Sequence, residues 1–249
     1  MSDVIGLEVS ALQLHGSGRL EVAPAERGGA QRDIRPRLHG GIRALQYDVA
    51  TMGELVETAL GRALTAVADR DVELAGAVRR GDAAVNALQQ RVREGCFRTL
   101  VTEAPLCRDL RAVMAAVQMS SEFERMGDHC VSIARQALAL ADLPPTPASA
   151  GLRTLGALCA RQVHAIVHAI VSEDADAARA VAARDDDVDA QYHEFVDGVI
   201  REIPHGTRDA FRTTTHLLIA HHLERVGDRV TNIAEELVFA VTGEQERLG

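Results

Sequence analysis

The stretch FERMGDHCVSIA at residues 123–134 returns a hundred residues later within HLERVGDRVTNIAEE at 222–236. The two agree at Glu124/Glu224, Arg125/Arg225, Gly127/Gly227, Asp128/Asp228, Ile133/Ile233 and Ala134/Ala234. Asp109 and Asp209 match at the same offset of 100. Farther upstream the offset is 103, through Asp71/Asp174, Ala75/Ala178, Ala77/Ala180, Val78/Val181, Asp82/Asp185 and Val85/Val188. The change of three falls between two predicted helices, where an insertion costs little. A chain that repeats itself over this length must fold as two like units.

Each unit reads as three helices. Apolar residues recur at steps of three and four from Leu38 onward, and the breaks fall at DRDVE (69–73), TEAPLCRD (102–109), DLPPTPASAG (142–151), VSEDAD (171–176) and EIPHGTRD (202–209). The spacing predicts six helices at about 39–69, 71–101, 105–141, 149–172, 174–203 and 206–241. Pro144 and Pro145 mark the longest linker and so the boundary between the units. Composition agrees with an all-α chain. Aromatic residues make up 3% of it and Trp is absent, which disfavours a sandwich or barrel. Residues 1–36 carry Gly, Pro and charge without periodicity, and read as a flexible N-terminal extension.

The dodecads sit on the third helix of each unit. Phe123, Met126, Gly127, Cys130, Ala134 and Ala137 form one packing stripe, and Leu223, Val226, Gly227, Val230, Ala234 and Leu237 the other. A glycine inside a helix costs roughly 1 kcal/mol against alanine. The expected return is close approach of a helix or ligand to the backbone at Gly127 and Gly227.

Beside each stripe stands an i,i+4 pair of carboxylates, Glu124 with Asp128 and Glu224 with Asp228. The middle helices carry Asp82 with Asn86 and Asp185 with Asp189. Adjacent helices 2 and 3 would bring four oxygen-bearing side chains onto one face per unit. Such a set suits a hard cation. It equally describes a solvated acidic face, with Arg125–Asp128 and Arg225–Asp228 as surface pairs. Its presence in both halves is the argument for a site.

Other chemistry is poorly supported. His164 and His168 have chelate spacing, but nothing else in their helix supports a site. His216, His221 and His222 read as surface residues, with His222 or His129 available to an outer shell. The one Glu-x-x-His, Glu202–His205, contains Pro204 at a helix break and weighs against a di-iron bundle. No Walker loop, dinucleotide fingerprint, nucleophile elbow or zincin motif is present, and no catalytic residue is assigned. The net charge of -9 disfavours nucleic acid and anionic lipid. Four scattered cysteines, no secretory signal and no apparent membrane-length apolar run predict a cytoplasmic protein without direct membrane insertion.

The segments MGELVETALGRALTAV (52–67), RGDAAVNAL (80–88), CRDLRAVMAAVQMSSEFERMGDHCVSIA (107–134) and HHLERVGDRVTNIAEE (221–236) together resemble the PhoU family of phosphate-signalling regulators. The resemblance implies two tandem three-helix bundles, repeat 1 at 37–142 and repeat 2 at 149–243. It implies a regulator of the phosphate-starvation response that links the ATPase subunit of a phosphate ABC transporter to a sensor histidine kinase, and a homodimer. It also implies metal ions at the acidic motifs, Fe, Zn, Mn or Mg. The candidate ligands are then Asp82, Asn86, Glu124 and Asp128 in repeat 1, and Asp185, Asp189, Glu224 and Asp228 in repeat 2. Asn86, Ser132 and Arg135 depart from the acidic pattern, so the repeat 1 cluster should be the weaker. A metal-storing bundle or a metal-dependent hydrolase is the alternative, and the absence of a general base or nucleophile beside the carboxylates weighs against hydrolysis.

Overall fold

The structure is a computed structural model that describes residues 12–15, 19–22, 35–144, 148–201 and 207–249, with side chains placed for 35–144, 149–201 and 210–249. Seven helices follow one strand pair: α1 Pro36–Asp69, α2 Val72–Glu103, α3 Cys107–Ala139, α4 Ala148–Ser172, α5 Ala175–Ala182, α6 Asp185–Arg201 and α7 Thr207–Thr242. The described residues are all-α apart from that pair, β1 Leu12–His15 and β2 Arg19–Val22, which run antiparallel with Leu12 opposite Val22. The pair lies within the segment read as a flexible extension. It belongs to a compact unit spanning Met1–Pro36, and Arg37–Gly249 forms the other.

The helix ends follow from local chemistry. Asp71 caps α2 by accepting the Leu74 amide at 2.8 Å. Its repeat partner Asp174 caps α5, accepting from Asp176 and Ala177 at 3.0 and 2.9 Å. Between α2 and α3, Ala104 and Cys107 take left-handed backbone with φ of 42° and 50°, flanking Pro105. The expected helix 174–203 is a correction. It breaks at Ala183–Arg184 into α5 and α6. Asp185, Asp186 and Asp187 then occupy the first turn of α6, where carboxylates meet the positive end of the helix dipole rather than one another's mid-helix field. Repeat 1 has a single aspartate there, Asp82, and α2 runs on unbroken.

The repeats do not separate. One continuous apolar core runs from Leu38 in α1 to Val238 in α7. Within repeat 1, α1 lies antiparallel to α2. A Cβ on Gly95 would stand 2.8 Å from Leu45, and Arg91 donates to Asp48 at 2.7 Å. Between the repeats, α1 faces α4 at two glycines related by the offset of 103. A Cβ on Gly53 would meet Val167 at 2.7 Å, and one on Gly156 would meet Leu64 at 2.4 Å. Exchanging residues by that offset turns the first contact into the second. The same exchange, by 100, turns Glu122–Arg229 into His222–His129 on the α3–α7 seam. The core is therefore arranged about a pseudo-two-fold axis.

Two further features bear on the sequence reading. Residues Ser149–Ser172 are long and apolar enough to cross a membrane by length and composition, with a mean hydropathy of 1.3, contrary to the expectation of no such run. Half of that window is buried inside the bundle, and its inward residues Leu155, Cys159, Val163 and Ile166 belong to the core. After α7 the chain folds back. Glu246 takes a two-pronged ion pair from Arg179 at 2.9 and 2.6 Å, and the Leu248 amide donates to Glu235 at 2.9 Å.

Gly53→Ala and Gly61→Ala, in the same helix, should move stability in opposite directions. At Gly61 nothing lies within 4 Å of an added methyl, and the better helix former should add about 0.5–1 kcal/mol. At Gly53 the methyl would meet Val167 and, at 3.0 Å, the Phe123 ring, and overpacking of about 1–3 kcal/mol should outweigh that gain. Urea unfolding midpoints of the two variants check this, and a stabilised Gly53→Ala would contradict the close packing of α1 on α4.

Candidate functional site

The two packing stripes are buried along their whole lengths, from Phe123 to Ala137 and from Leu223 to Leu237. That burial fixes the rotation of α3 and α7, and with it the acidic face. The middle helix of each repeat then closes onto the glycine. A Cβ on Gly127 would stand 3.1 Å from Asp82 Oδ1 and 3.6 Å from Val85. A Cβ on Gly227 would stand 3.0 Å from Asp185 Oδ1 and 3.3 Å from Val188. The glycines thus admit a carboxylate against helix backbone, which is the close approach their helical cost anticipated. Asp82, Glu124, Asp185 and Glu224 are half-buried, while Asn86, Asp128 and Asp189 lie toward solvent.

The carboxylates of each repeat feel one another. Burial raises the Asp82 carboxyl above its usual range; the Asn86 amide, donating to it at 2.9 Å, and Arg135 work against this, and Asp128 adds to it. Burial likewise raises Glu124, with Asp128 and Asp82 adding and Arg125 opposing. In repeat 2, burial raises Asp185, the Thr231 hydroxyl opposes, and Asp189, Asp228 and Asp186 add. Burial raises Glu224, with Asp228 adding, Arg225 and His221 opposing, and Asp189 adding. The four predicted residues of each repeat therefore do share one electrostatic neighbourhood. Asp82 Oδ1 and Glu224 Oε2 are buried without a hydrogen-bond partner, although His221 and Arg225 lie 3.5 and 3.8 Å from the latter.

An all-oxygen set, with Asp82, Glu124, Asp185 and Glu224 raised and with orphaned oxygens on Asp82 and Glu224, fits a hard cation in charge and chemistry. It does not form a ready-made cage. Among the described residues, no group of three or more His, Cys, Asp or Glu side chains is placed to hold a metal ion.

The surface pairs come out unequally. Arg225 does reach Asp228, at 2.6 Å. Arg125 turns instead to Glu122, at 2.9 Å. The position equivalent to Glu122 in repeat 2 is His222, so only Arg125 has an acid one turn back. His164 pairs with Glu57 at 2.9 Å across the α1–α4 contact rather than with His168. His216, read as a surface residue, is buried at 2% exposure, which together with Arg70 and Arg212 pushes its pKa down to about 4. The thiols of Cys96, Cys130 and Cys159 are pushed up by burial to about 11, 12 and 12, as expected of packing residues.

Sequence reasoning missed two residues of the second site. Gln162 on α4 is 4% exposed, and neither its amide oxygen nor its nitrogen has a partner. Its Oε1 would lie 3.5 Å from a Cβ on Gly227, beside Asp185. Buried Thr231 also borders Asp185. Repeat 1 has Ala59 and Val131 at the equivalent positions. The available signal was a single amide within the apolar row Leu155, Cys159, Val163, Ile166.

A duplicated three-helix unit with paired carboxylates on its third helix is matched by a known domain. The PhoU domain family matches residues 49–137 and again 152–237. This chain belongs to the PhoU family. Its relatives include the phosphate-specific transport system accessory protein PhoU homolog of Xylella fastidiosa strain 9a5c, 33% identical over 82% of this chain and 86% of that protein. The phosphate-specific transport system accessory protein PhoU of Escherichia coli strain K12 is 31% identical over 87% of this chain and 90% of its own length. The crystal structure of PhoU from Pseudomonas aeruginosa superposes with a TM-score of 0.80 at 28% identity, over 83% of this chain and all of that one. The two PhoU matches fall inside the repeats read at 37–142 and 149–243, and both take in the acidic face.

A raised carboxyl sets the direction of a pH effect. The fold favours protonated Asp185, so its contribution is fully present below the ordinary carboxylate range near 4 and is lost as pH rises through the higher folded value. Asp185→Asn should therefore raise Tm at pH 7 by about 2 °C, the scale of somewhat less than 1 kcal/mol in a chain of this size. The advantage should vanish at pH 3.5, and a variant less stable than wild type at pH 7 would contradict the repulsion described.

Proposed function

We propose that this chain is a non-catalytic, cytoplasmic accessory of a phosphate-specific transport system that couples the transporter's ATPase subunit to a sensor histidine kinase and restrains the phosphate-starvation response. The observation that carries this reading is membership of the PhoU family across both repeats, with relatives of that name matched over most of their lengths. A homodimer is part of the same proposal. Deleting the gene should derepress phosphate-uptake genes in phosphate-rich medium, and the tagged protein should recover the ATPase subunit and the kinase from such cells. Unchanged transcription after deletion would overturn the reading.

We further propose that the acidic faces take divalent or trivalent ions, Fe, Zn, Mn or Mg, as screens for their crowded carboxylates. Repeat 2 should fill first, since Asp189 replaces the uncharged Asn86. Storage or delivery of metal finds less support, because no cage is preformed among the described residues.

Glu224→Ala with Asp228→Ala should remove most bound metal, as read by elemental analysis, with helical content unchanged. Wild type should melt higher in Mn(II) than in chelator, by up to about 2.7 kcal/mol at a free metal concentration 100 times Kd. Equal melting together with no retained metal would leave these residues as a solvated face.

A further inference from the structure

The α3–α7 seam carries two contacts that the internal repeat makes equivalent. At one, Glu122 accepts from Arg229 at 3.1 Å and from Asn232 at 3.2 Å. At the other, the same two helical positions hold His222 and His129, whose Nδ1 atoms face each other at 3.3 Å. An ion pair is complete in itself. Two imidazole nitrogens with lone pairs are not: one must donate a proton to the other, or both must share a third body. A direct hydrogen bond between the rings accounts for 3.3 Å, and so does a shared ion. A tetrahedral ion with bonds of about 2.0–2.1 Å sets its ligand nitrogens about 3.3–3.4 Å apart.

We propose that His129 and His222 together chelate one imidazole-seeking transition ion, Zn(II), Cu(II) or Ni(II), through their Nδ1 atoms, and so tie repeat 1 to repeat 2. This is a nitrogen site between α3 and α7, distinct from the oxygen-lined acidic faces, and it stands whether or not those faces bind metal. Imidazole is the donor these ions prefer over the hard cations suited to carboxylates. The rings are half-buried, 5.5 Å apart between centroids and tilted by 41°, which leaves both nitrogens aimed into the seam. Arg229 and Arg225 both act on His129, and each has its own acidic partner. Arg229 is held by Glu122, and Arg225 by Asp228 at 2.6 Å. His221, with its ring centroid 6.0 Å from that of His222, is the adjacent side chain, and water completes the coordination.

The test uses the full chain with Cu(II) at less than one equivalent and reads the electron paramagnetic resonance spectrum. Coupling to two imidazole nitrogens is expected. His129→Ala and His222→Asn should each abolish the two-nitrogen pattern and weaken Cu(II) binding at least tenfold, with far-ultraviolet circular dichroism confirming that both variants are folded. Asp185→Asn with Asp189→Asn should leave the pattern intact, which separates this site from the acidic faces. Ni(II) should raise the Tm of wild type and not that of His129→Ala. Copper held through oxygen alone, or the same two-nitrogen spectrum in the folded His129→Ala variant, would overturn the proposal and leave the pair a simple ring contact.

Discussion

Four buried glycines, two in each repeat, set how closely the helices approach, and the remaining geometry depends on that approach. Gly53 and Gly156 let Val167 and Leu64 reach the backbones of α1 and α4, which joins the two repeats into one core. Gly127 and Gly227 let Asp82 and Asp185 reach the backbones of α3 and α7, which forms the acidic faces. A side chain at any of these positions would meet atoms at 2.4–3.1 Å, inside the contact limit of a close-packed interior. Each glycine gives up roughly 1 kcal/mol of helix propensity for that contact.

The pseudo-two-fold arrangement makes the differences between repeats informative. Equivalent positions hold Asn86 and Asp189, Ala59 and Gln162, Val131 and Thr231, Glu122 and His222. The first three pairs make repeat 2 the more polar and more charged face. The last decides two things at once. It gives Arg125 an acid one turn back and sends Arg225 forward to Asp228, and, together with His129 in place of Arg229, it turns one end of the α3–α7 seam from an ion pair into two facing imidazoles. Differences at two positions of the duplicated motif, Glu122/His222 and His129/Arg229, have thus changed both its own face and the contact with the other repeat.

Crowded carboxylates also account for the one break in helix periodicity. Aspartate is a poor helix former in mid-helix, where three in a row have no positive dipole end beside them. At a helix start the same residues face unpaired amides. The turn at Ala183–Arg184 places Asp185, Asp186 and Asp187 there, and Asp185 still reaches Gly227. The apolar spacing on both sides of the break continues in phase, with Val181 and Val188 both buried, which is why periodicity alone indicated one helix.

The sequence by itself determined the helical class, the duplication with its two offsets, the buried stripes on α3 and α7, and the grouping of the acidic residues on one face per repeat. These follow from short-range geometry: a 3.6-residue period fixes which side chains share a face, and a repeated pattern fixes that faces recur. Even the Gly53/Gly156 pair was present at the offset of 103 and could have been read from it. Only the tertiary structure decided which side chains meet across helices. Gln162 beneath the second acidic face, the burial of His216, and His129 against His222 all depend on rotamers and on what a neighbouring helix presents. Those contacts join residues as far as 93 positions apart, and no local period encodes them.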